Sequence, residues 1–259
     1  MPRAYAHAPA AIALAAIPAF APLAFGDPVA AGPWIGAGVV LLGILTGLVR
    51  AGALYRLGVA DDPAAARRLG LGPLGLQFGK PELRLAAGGA LVTLFLLLVA
   101  IAGFVVAVFI ASAAGLGEVD WSTVRTPEDF LALGEPWKLG LVAAAPIGLA
   151  LVLAVLATQL SLFAPATIGR ERVTSLDALA LADGHFFKLF IGLLLVSLPT
   201  LGVALARQGT GGGDATAWLL AEGLVAGLVQ APLTAGFLSA AYRRLEYVQA
   251  SDRGDIVHG

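Results

Sequence analysis

The sequence predicts an all-α protein, an integral membrane bundle of six transmembrane helices with short amphipathic helices in the loops. Composition supports this, since 59% of the 259 residues are hydrophobic and only 13% are charged, about half the charged fraction of a soluble domain. In addition, no charged residue lies between Arg84 and Glu118, and about 20 apolar residues suffice to cross a bilayer core. We therefore treat residues 1–259 as a single transmembrane domain.

Six apolar stretches are long enough to form the spans. They occupy residues 5–25, 33–55, 85–115, 138–168, 186–206 and 215–241, and residues 242–259 form a polar cytoplasmic tail. The first stretch contains Pro9, Pro18 and Pro22, and a cleaved secretory signal peptide is the alternative interpretation. We favour a retained span, because only Arg3 precedes a long apolar region that the prolines interrupt.

The loop between the second and third spans carries signals for a short helix and for a surface segment. Asp62 is a suitable N-cap for a helix with Pro63 at its first position, and Gly70 can end that helix. The residues that follow are too apolar for a free loop and too few to span, so we expect them at the membrane surface or wedged between helices. They include Leu71, Leu74, Leu76 and Phe78.

Two further loops each predict a short helix. The run Thr126-Pro127-Glu128-Asp129 is typical of a helix start, because an N-cap residue precedes acids in the first turn. Residues 174–183 predict a capped amphipathic helix that Gly184 ends. Both lie beside predicted spans and so add short helices to the bundle.

Lysine and arginine are distributed unequally between the two predicted faces of the membrane. If the N-terminus is cytoplasmic, only Arg125, Lys138 and Arg207 of the 16 basic residues fall on the outer side. Cytoplasmic loops carry the excess of Lys and Arg in membrane proteins. The expected location is therefore the bacterial cytoplasmic (inner) membrane, in a multi-pass topology with both termini in the cytoplasm.

Small residues spaced four apart form ridges on two spans, where they let another helix approach closely. The second and sixth spans carry these ridges at Gly43, Gly47, Ala51, Gly223, Gly227 and Ala231. The expected partners are the lipid bilayer and, through the ridges, other membrane helices or a larger membrane complex. The net charge of −1 gives no reason to expect binding to nucleic acid.

Four polar residues within the spans are candidate functional groups, because a polar or ionisable side chain in a membrane span is costly. They are Glu222, Gln230, Gln159 and Arg50. Glu222 either lies near the interface, facing water or an outer basic residue, or binds a proton or cation together with Gln230. Arg50 either extends to the headgroups or faces a buried cavity, and Gln159 either lines a polar path or bonds to a neighbouring helix.

Charged residues near the predicted cytoplasmic boundary are candidate interface groups. We expect Lys80, Glu82 and Arg84 to form a solvated or lipid-facing cluster. Asp183 and His185 indicate either an acid–base pair or a helix cap followed by an interfacial histidine. We favour the cap, because residues two apart on a helix do not face each other.

The residue types limit the available chemistry. The chain has no cysteine, which excludes disulfides, thiol catalysis and thiolate metal sites. The histidines are scattered at positions 7, 185 and 258. We therefore expect no catalytic residue set, no metal site and no cofactor.

One pattern in the C-terminal part resembles a known domain. An amphipathic segment, residues 175–181, is followed by Asp183-Gly184-His185-Phe186-Phe187-Lys188-Leu189-Phe190, and the last span closes in Tyr242-Arg243-Arg244-Leu245. This arrangement is similar to the membrane domain attached to some glycerophosphodiester phosphodiesterases and to its uncharacterised free-standing bacterial relatives. The resemblance implies a helical six-span fold without catalytic residues, because the phosphodiesterase chemistry belongs to a soluble barrel domain.

Three functions follow as hypotheses. The leading one is a non-enzymatic inner-membrane protein of structural, assembly or protein/lipid-interaction type, which requires a tightly packed centre with the ridges buried. The alternative is a small transporter or permease, which requires a cavity lined by Glu222 or Gln230, with Gln159 adding polar lining. A weaker alternative is a membrane enzyme acting on lipid at the cytoplasmic interface, which requires His185 and a carboxylate within hydrogen-bond reach in a cleft.

Overall fold

The computed structural model of the protein describes residues 6–14, 32–60, 62–116, 119, 122, 124–132, 134–210 and 215–252. All regular secondary structure within these residues is helical. In chain order the helices are α1 (Pro9–Leu14), α2 (Pro33–Val59), α3 (Pro63–Arg68), α4 (Lys80–Ala113), α5 (Pro127–Leu131), α6 (Pro136–Leu160), α7 (Phe163–Gly169), α8 (Asp177–Ala182), α9 (Phe186–Gly209), α10 (Ala215–Leu224) and α11 (Ala231–Asp252). A 3₁₀ turn occupies Pro73–Gly75, and a π-helical segment, Val225–Gln230, joins α10 to α11.

Within the described residues, five helical stretches are long and apolar enough to cross a membrane. They are Trp34–Val59, Pro73–Ala113, Pro136–Gly169, Phe186–Gly209 and Thr216–Tyr247. The prediction of an all-helical protein with several long apolar helices is thus confirmed, and the five stretches correspond to the second to sixth predicted spans. Most of the first predicted span lies outside the described residues, so the number of six spans stays a prediction.

The helix of the third predicted span starts earlier than the hydropathy boundary at residue 85 indicates. Helix α4 begins at Lys80, because Glu82 in its first turn accepts a hydrogen bond from the Gly79 N–H at 2.9 Å. A carboxylate at the third helical position that returns to the N-cap amide is half of a capping box. The charged residues of this segment therefore belong to the helix and not to the loop.

The fourth predicted span is not one continuous helix. Helix α6 ends at Leu160 and α7 restarts at Phe163. Pro165 explains the interruption, because it has no N–H to donate to the Ser161 carbonyl of a continuous helix. Most of α7 is buried, so this short helix belongs to the packed part of the molecule.

The sixth predicted span contains the π-helical segment Val225–Gln230 between two α-helical parts. Pro232 follows this segment by two residues and cannot donate a hydrogen bond to the carbonyl one turn earlier. A single π-helical turn accommodates such a gap in the hydrogen-bond ladder without ending the helix.

The predicted short helices are formed. Asp62 caps α3 by accepting a hydrogen bond from the Ala65 N–H at 2.6 Å. Gly70 ends α3 in the left-handed region, with φ +87°, and the Leu71 N–H bonds to the Ala66 carbonyl as in a Schellman motif. Helix α5 also begins where the sequence predicts.

Helix α8 is shorter than the predicted 174–183 segment and starts at Asp177. Thr174 is buried instead and shares a hydrogen bond of 3.1 Å with Thr167 of α7. The predicted end is confirmed, since Gly184 follows α8 with φ +70°.

The chain divides into two compact units. One comprises residues 1–89 and 159–259, and its apolar core joins α7, α8, α9 and α11 through residues such as Ala166, Leu181, Leu189 and Leu238. A second cluster in the same unit packs α1 against α2 and α3 through Ala8, Ala11, Ala53, Ala60 and Ala66.

The other unit, residues 90–158, contains the remainder of α4 and most of α6. Gly103 of α4 packs against the side chain of Leu149 of α6. Large apolar side chains, including Phe104, Phe109 and Leu151, are exposed on these helices. Such outward apolar surface is what a lipid-facing helix requires.

Candidate functional site

A buried ion pair joins the end of α2 to the start of α4. Arg56 Nη1 and Glu82 Oε1 lie 2.6 Å apart, and the side chains are 1% and 0% exposed. Arg56 Nε also donates to the Leu69 carbonyl at 2.8 Å, and Glu82 Oε2 accepts from the Gly79 N–H. We call these four hydrogen-bonding groups the Arg56–Glu82 clamp.

The clamp corrects the expectation that Glu82 is solvated or faces lipid. A charged group taken out of water needs a partner of opposite charge and further hydrogen bonds, and the clamp supplies both. Gly52 is part of the arrangement, because a Cβ at this position would lie 2.5 Å from Glu82 Oε1. A glycine four residues before Arg56, and therefore on the same face of α2, is the sequence feature from which a close neighbour could have been inferred.

The other two members of the predicted interface cluster line a cleft beside the clamp. Arg68, Lys80 and Arg84 converge on a cavity of about 250 Å³. Glu171 is the acidic residue at its wall, and the remaining lining comprises Leu69, Gly70, Pro81, Thr167 and Ile168. We call this cavity the basic cleft. Its three basic side chains form no salt bridge within the described residues.

A second ion pair holds α11 near the end of α7. Arg170 Nη2 lies 2.7 Å from Glu246 Oε2, and hydrogen bonding to Glu246 raises the pKa of the Arg170 guanidinium. A Cβ at the adjacent Gly169 would lie 2.7 Å from the Tyr242 ring. Glycine is therefore required for α11 to approach α7 this closely.

Two of the four predicted intramembrane polar residues are brought together. Arg50 and Gln230 line a cavity of about 370 Å³ together with Tyr55 and Thr234. We call it the Arg50 cavity, and small or apolar residues complete its lining: Ala51, Leu54, Ala226, Ala231 and Ala235.

The two predicted polar residues of the Arg50 cavity differ in their contacts with the rest of the protein. Gln230 ends the π-helical segment, accepts a hydrogen bond from the Thr200 hydroxyl and donates to Ser197 Oγ at 3.4 Å. Arg50 forms no salt bridge within the part of the chain that the structure describes. Among the described residues that line this cavity, the guanidinium is thus the charged group without a salt-bridge partner, and such a group can bind an anion.

The remaining two polar candidates lie elsewhere. Glu222 is half-buried and pairs with Arg207 at 3.4 Å, in a separate cavity lined also by Ala204 and Gln208. Gln159 is half-buried near the end of α6 and does not line the Arg50 cavity. The structure therefore does not join all of the predicted polar residues in one path.

Asp183 and His185 do not form an acid–base pair. The His185 ring nitrogen Nδ1 contacts the Asp183 backbone carbonyl at 2.8 Å, and the Asp183 carboxylate accepts from the Gly184 N–H at 2.9 Å. Both side chains are used in the turn between α8 and α9. This is the local capping arrangement, and it does not orient the two side chains for proton transfer.

The two predicted small-residue ridges differ in how closely other parts of the protein pack against them. Gly227 is buried, and Ala231 packs against a buried cluster with Leu54 and Ala235. A Cβ at Gly47 would meet no described atom within 4 Å. The ridge of Gly43, Gly47 and Ala51 is thus not packed along its whole length within the described chain.

The described residues contain no group of three or more histidine, cysteine, aspartate or glutamate side chains able to hold a metal ion. No family model matches the chain, and neither a curated protein nor a solved structure matches it. The similarity of residues 175–190 and 242–245 to the membrane domain of some phosphodiesterases therefore stays a prediction.

Proposed function

We propose that the protein is a non-enzymatic integral membrane protein of the bacterial cytoplasmic (inner) membrane, with a structural, assembly or protein/lipid-interaction role. The observation that carries this proposal is the Arg56–Glu82 clamp. Both charged groups are buried, and their contacts are with each other and with backbone groups of the same loop. Charges held in this way fix a shape and are not accessible to a substrate.

The clamp fixes the loop between α2 and α4 at the end of two candidate spans. Its ends are tied to Leu69 and Gly79. Between them, the side chains of Leu74, Leu76 and Phe78 are exposed. A rigid loop that presents apolar side chains beside basic ones suits contact with a membrane surface or a membrane partner. We place this loop on the cytoplasmic side, because the basic residues are concentrated there in the six-span topology.

A second function, a small transporter or permease for anions, is favoured by the Arg50 cavity. A charged side chain within a span is a functional-site hypothesis by default, and π-helical turns occur frequently at functional sites. Arg50 and Gln230 would supply the binding groups of such a path. Glu222, with its partner Arg207, would lie outside this part of it.

Reconstitution into vesicles distinguishes the two functions. Vesicles with the purified full chain are loaded with chloride or radiolabelled inorganic phosphate, and release is compared with protein-free vesicles. The leading proposal predicts equal release, together with rapid proteolysis of residues 57–81 in an Arg56→Gln variant and slow proteolysis in the wild-type chain. Release that requires the protein and is abolished by Arg50→Gln, but not by Arg172→Gln, would reject it in favour of the permease.

A further inference from the structure

We propose that the basic cleft binds a phosphate group, carried by the headgroup of an anionic phospholipid or by a free phosphate. This inference rests on the proposed interaction function and names the chemistry that the cytoplasmic face recognises. It follows from the charge of the cleft, from the way its walls are built and from its position at the end of a candidate span.

The cleft carries an excess of positive charge that no salt bridge among the described residues neutralises. Arg68, Lys80 and Arg84 face Glu171 as the acidic residue of the lining. Glu82 lies between Lys80 and Arg84 in the sequence, but both of its oxygens are engaged in the clamp. The clamp therefore removes the carboxylate that would otherwise neutralise this segment, and Lys80 and Arg84 keep no salt-bridge partner in the part of the chain that the structure describes.

The walls of the cleft are structured parts of the chain. Arg68 is the last residue of α3, and Gly70 holds the turn that follows in a left-handed conformation. Lys80 and Arg84 lie four apart on the first turns of α4, and therefore on one face of that helix. Thr167 in the lining is buried and hydrogen-bonded to Thr174. The cations are thus presented by two helices whose ends are fixed.

The size and chemistry of the cleft suit phosphate. Its volume of about 250 Å³ corresponds to roughly eight water-sized volumes, which is room for a phosphate and part of the group esterified to it. Arginine binds phosphate oxygens through a planar fork of two N–H groups, and lysine adds a point charge. Two arginines and one lysine can therefore contact one phosphate from different sides.

The position of the cleft favours a lipid as the source of that phosphate. Apolar residues of α4 without any charge follow directly after Arg84, so the cleft lies where a candidate span begins. The side chain of Leu83 is exposed beside it, as are Leu76 and Phe78 in the preceding loop. Basic side chains combined with apolar side chains at the start of a span are the usual elements of anionic headgroup recognition.

The test measures lipid retention by the full chain with native mass spectrometry. The protein is purified in detergent and mixed with phosphatidylglycerol, phosphatidylcholine or inorganic phosphate. We expect phosphatidylglycerol adducts to exceed phosphatidylcholine adducts. Each of Arg68→Gln, Lys80→Gln and Arg84→Gln should weaken phosphatidylglycerol binding about fivefold, the effect of roughly 1 kcal/mol per basic residue at an anionic surface. Arg67→Gln is the matched control, because Arg67 lies in the same helix as Arg68, is exposed and does not line the cleft.

Each outcome decides one point. If inorganic phosphate displaces the lipid adducts and phosphatidylglycerol is not preferred over phosphatidylcholine, the cleft binds phosphate and its ligand is free phosphate. Equal phosphatidylglycerol binding by Arg84→Gln and Arg67→Gln overturns the proposal. Thermal unfolding of Arg68→Gln, an exposed position, checks that lost binding is not lost folding. Alkaline extraction of the same variants from vesicles separates the failure of phosphate binding from the failure of the proposed membrane function. A protein that resists extraction but shows no lipid preference rejects phosphate binding by the basic cleft and leaves the proposed membrane function standing.

Discussion

Gly58 of α2 lies directly against Ser239 of α11, such that a Cβ at Gly58 would be 2.6 Å from the Ser239 Cβ. Ser239 is completely buried in this contact. Replacing Gly58 by Ala should therefore separate the two helices and destabilise the protein by about 1–3 kcal/mol, the usual cost of overpacking. Thermal unfolding in detergent measures the change.

The matched control is Gly47→Ala on the same helix, where a Cβ meets no described atom within 4 Å. It should be neutral or stabilising by up to about 1 kcal/mol, because alanine is the better helix former. A larger loss at Gly47 than at Gly58 would contradict the observed packing. It would instead show that the ridge of Gly43, Gly47 and Ala51 packs against another helix.

Substitutions of Arg56 and Glu82 in the clamp should have strongly non-additive effects on the free energy of unfolding. Arg56→Gln or Glu82→Gln alone should cost about 3–5 kcal/mol of unfolding free energy, because each leaves a buried charge without its partner. The double variant should cost clearly less than the sum of the two. Arg172→Gln provides the comparison, since the Arg172–Asp177 pair is 64% and 56% exposed and should contribute no more than about 1 kcal/mol. Additive losses in the double variant would mean that the two residues act independently.

The proposed topology can be tested by thiol labelling, because the natural chain has no cysteine. Arg172→Cys should react with a membrane-impermeant maleimide only from the cytoplasmic side, and Glu135→Cys only from the outside. Both positions are exposed, so labelling rates report the side of the membrane and not burial. Glu222→Cys, half-buried beside Arg207, should react from the outside more slowly than Glu135→Cys. Labelling of Arg172→Cys from the outside would reject the six-span orientation.

The start of α5 should depend on pH. The Arg125 and Thr126 N–H groups donate to the Asp129 carboxylate at 3.1 and 2.9 Å, and these hydrogen bonds lower the pKa of Asp129. The stabilising contribution is therefore complete above the unfolded pKa of about 3.9 and is lost as the pH falls through the lower folded-state pKa.

Hydrogen exchange of residues 127–131, followed across this pH range, measures the loss. Asp129→Asn should abolish most of the pH dependence, whereas Glu128→Gln removes a charge from the same turn and should retain it. Equal effects of the two substitutions would show that charge alone, and not the cap, holds the helix start.

The long apolar helices could be predicted because hydropathy depends only on local sequence. Local signals also located α3 and α5, since Asp62 and Thr126 cap helices through neighbouring amides. The Arg56–Glu82 clamp was missed for the opposite reason. Each residue alone has the pattern of a loop charge at the membrane boundary, and their pairing, 26 positions apart in the sequence, depends on how the chain between them folds.

The Arg50 cavity could be predicted only in part from the sequence. Arg50 and Gln230 were each recognisable as polar residues inside spans, but their meeting depends on the pairing of the second span with the sixth. The π-helical turn that ends at Gln230 follows from a gap in the backbone hydrogen bonds, to which Pro232 contributes. Hydropathy carries no information about such a gap. The predicted path consisted of Glu222, Gln230 and Gln159, and it did not include Arg50.

The clamp has a consequence for the order in which the protein is assembled. All of its hydrogen-bonding groups lie between Arg56 and Glu82, and Gly52, which makes room for them, precedes them by one helical turn. The contacts that neutralise these two charges thus need no residue after Glu82. During synthesis, the loop between α2 and α4 can close around its own ion pair while the later helices are still being made.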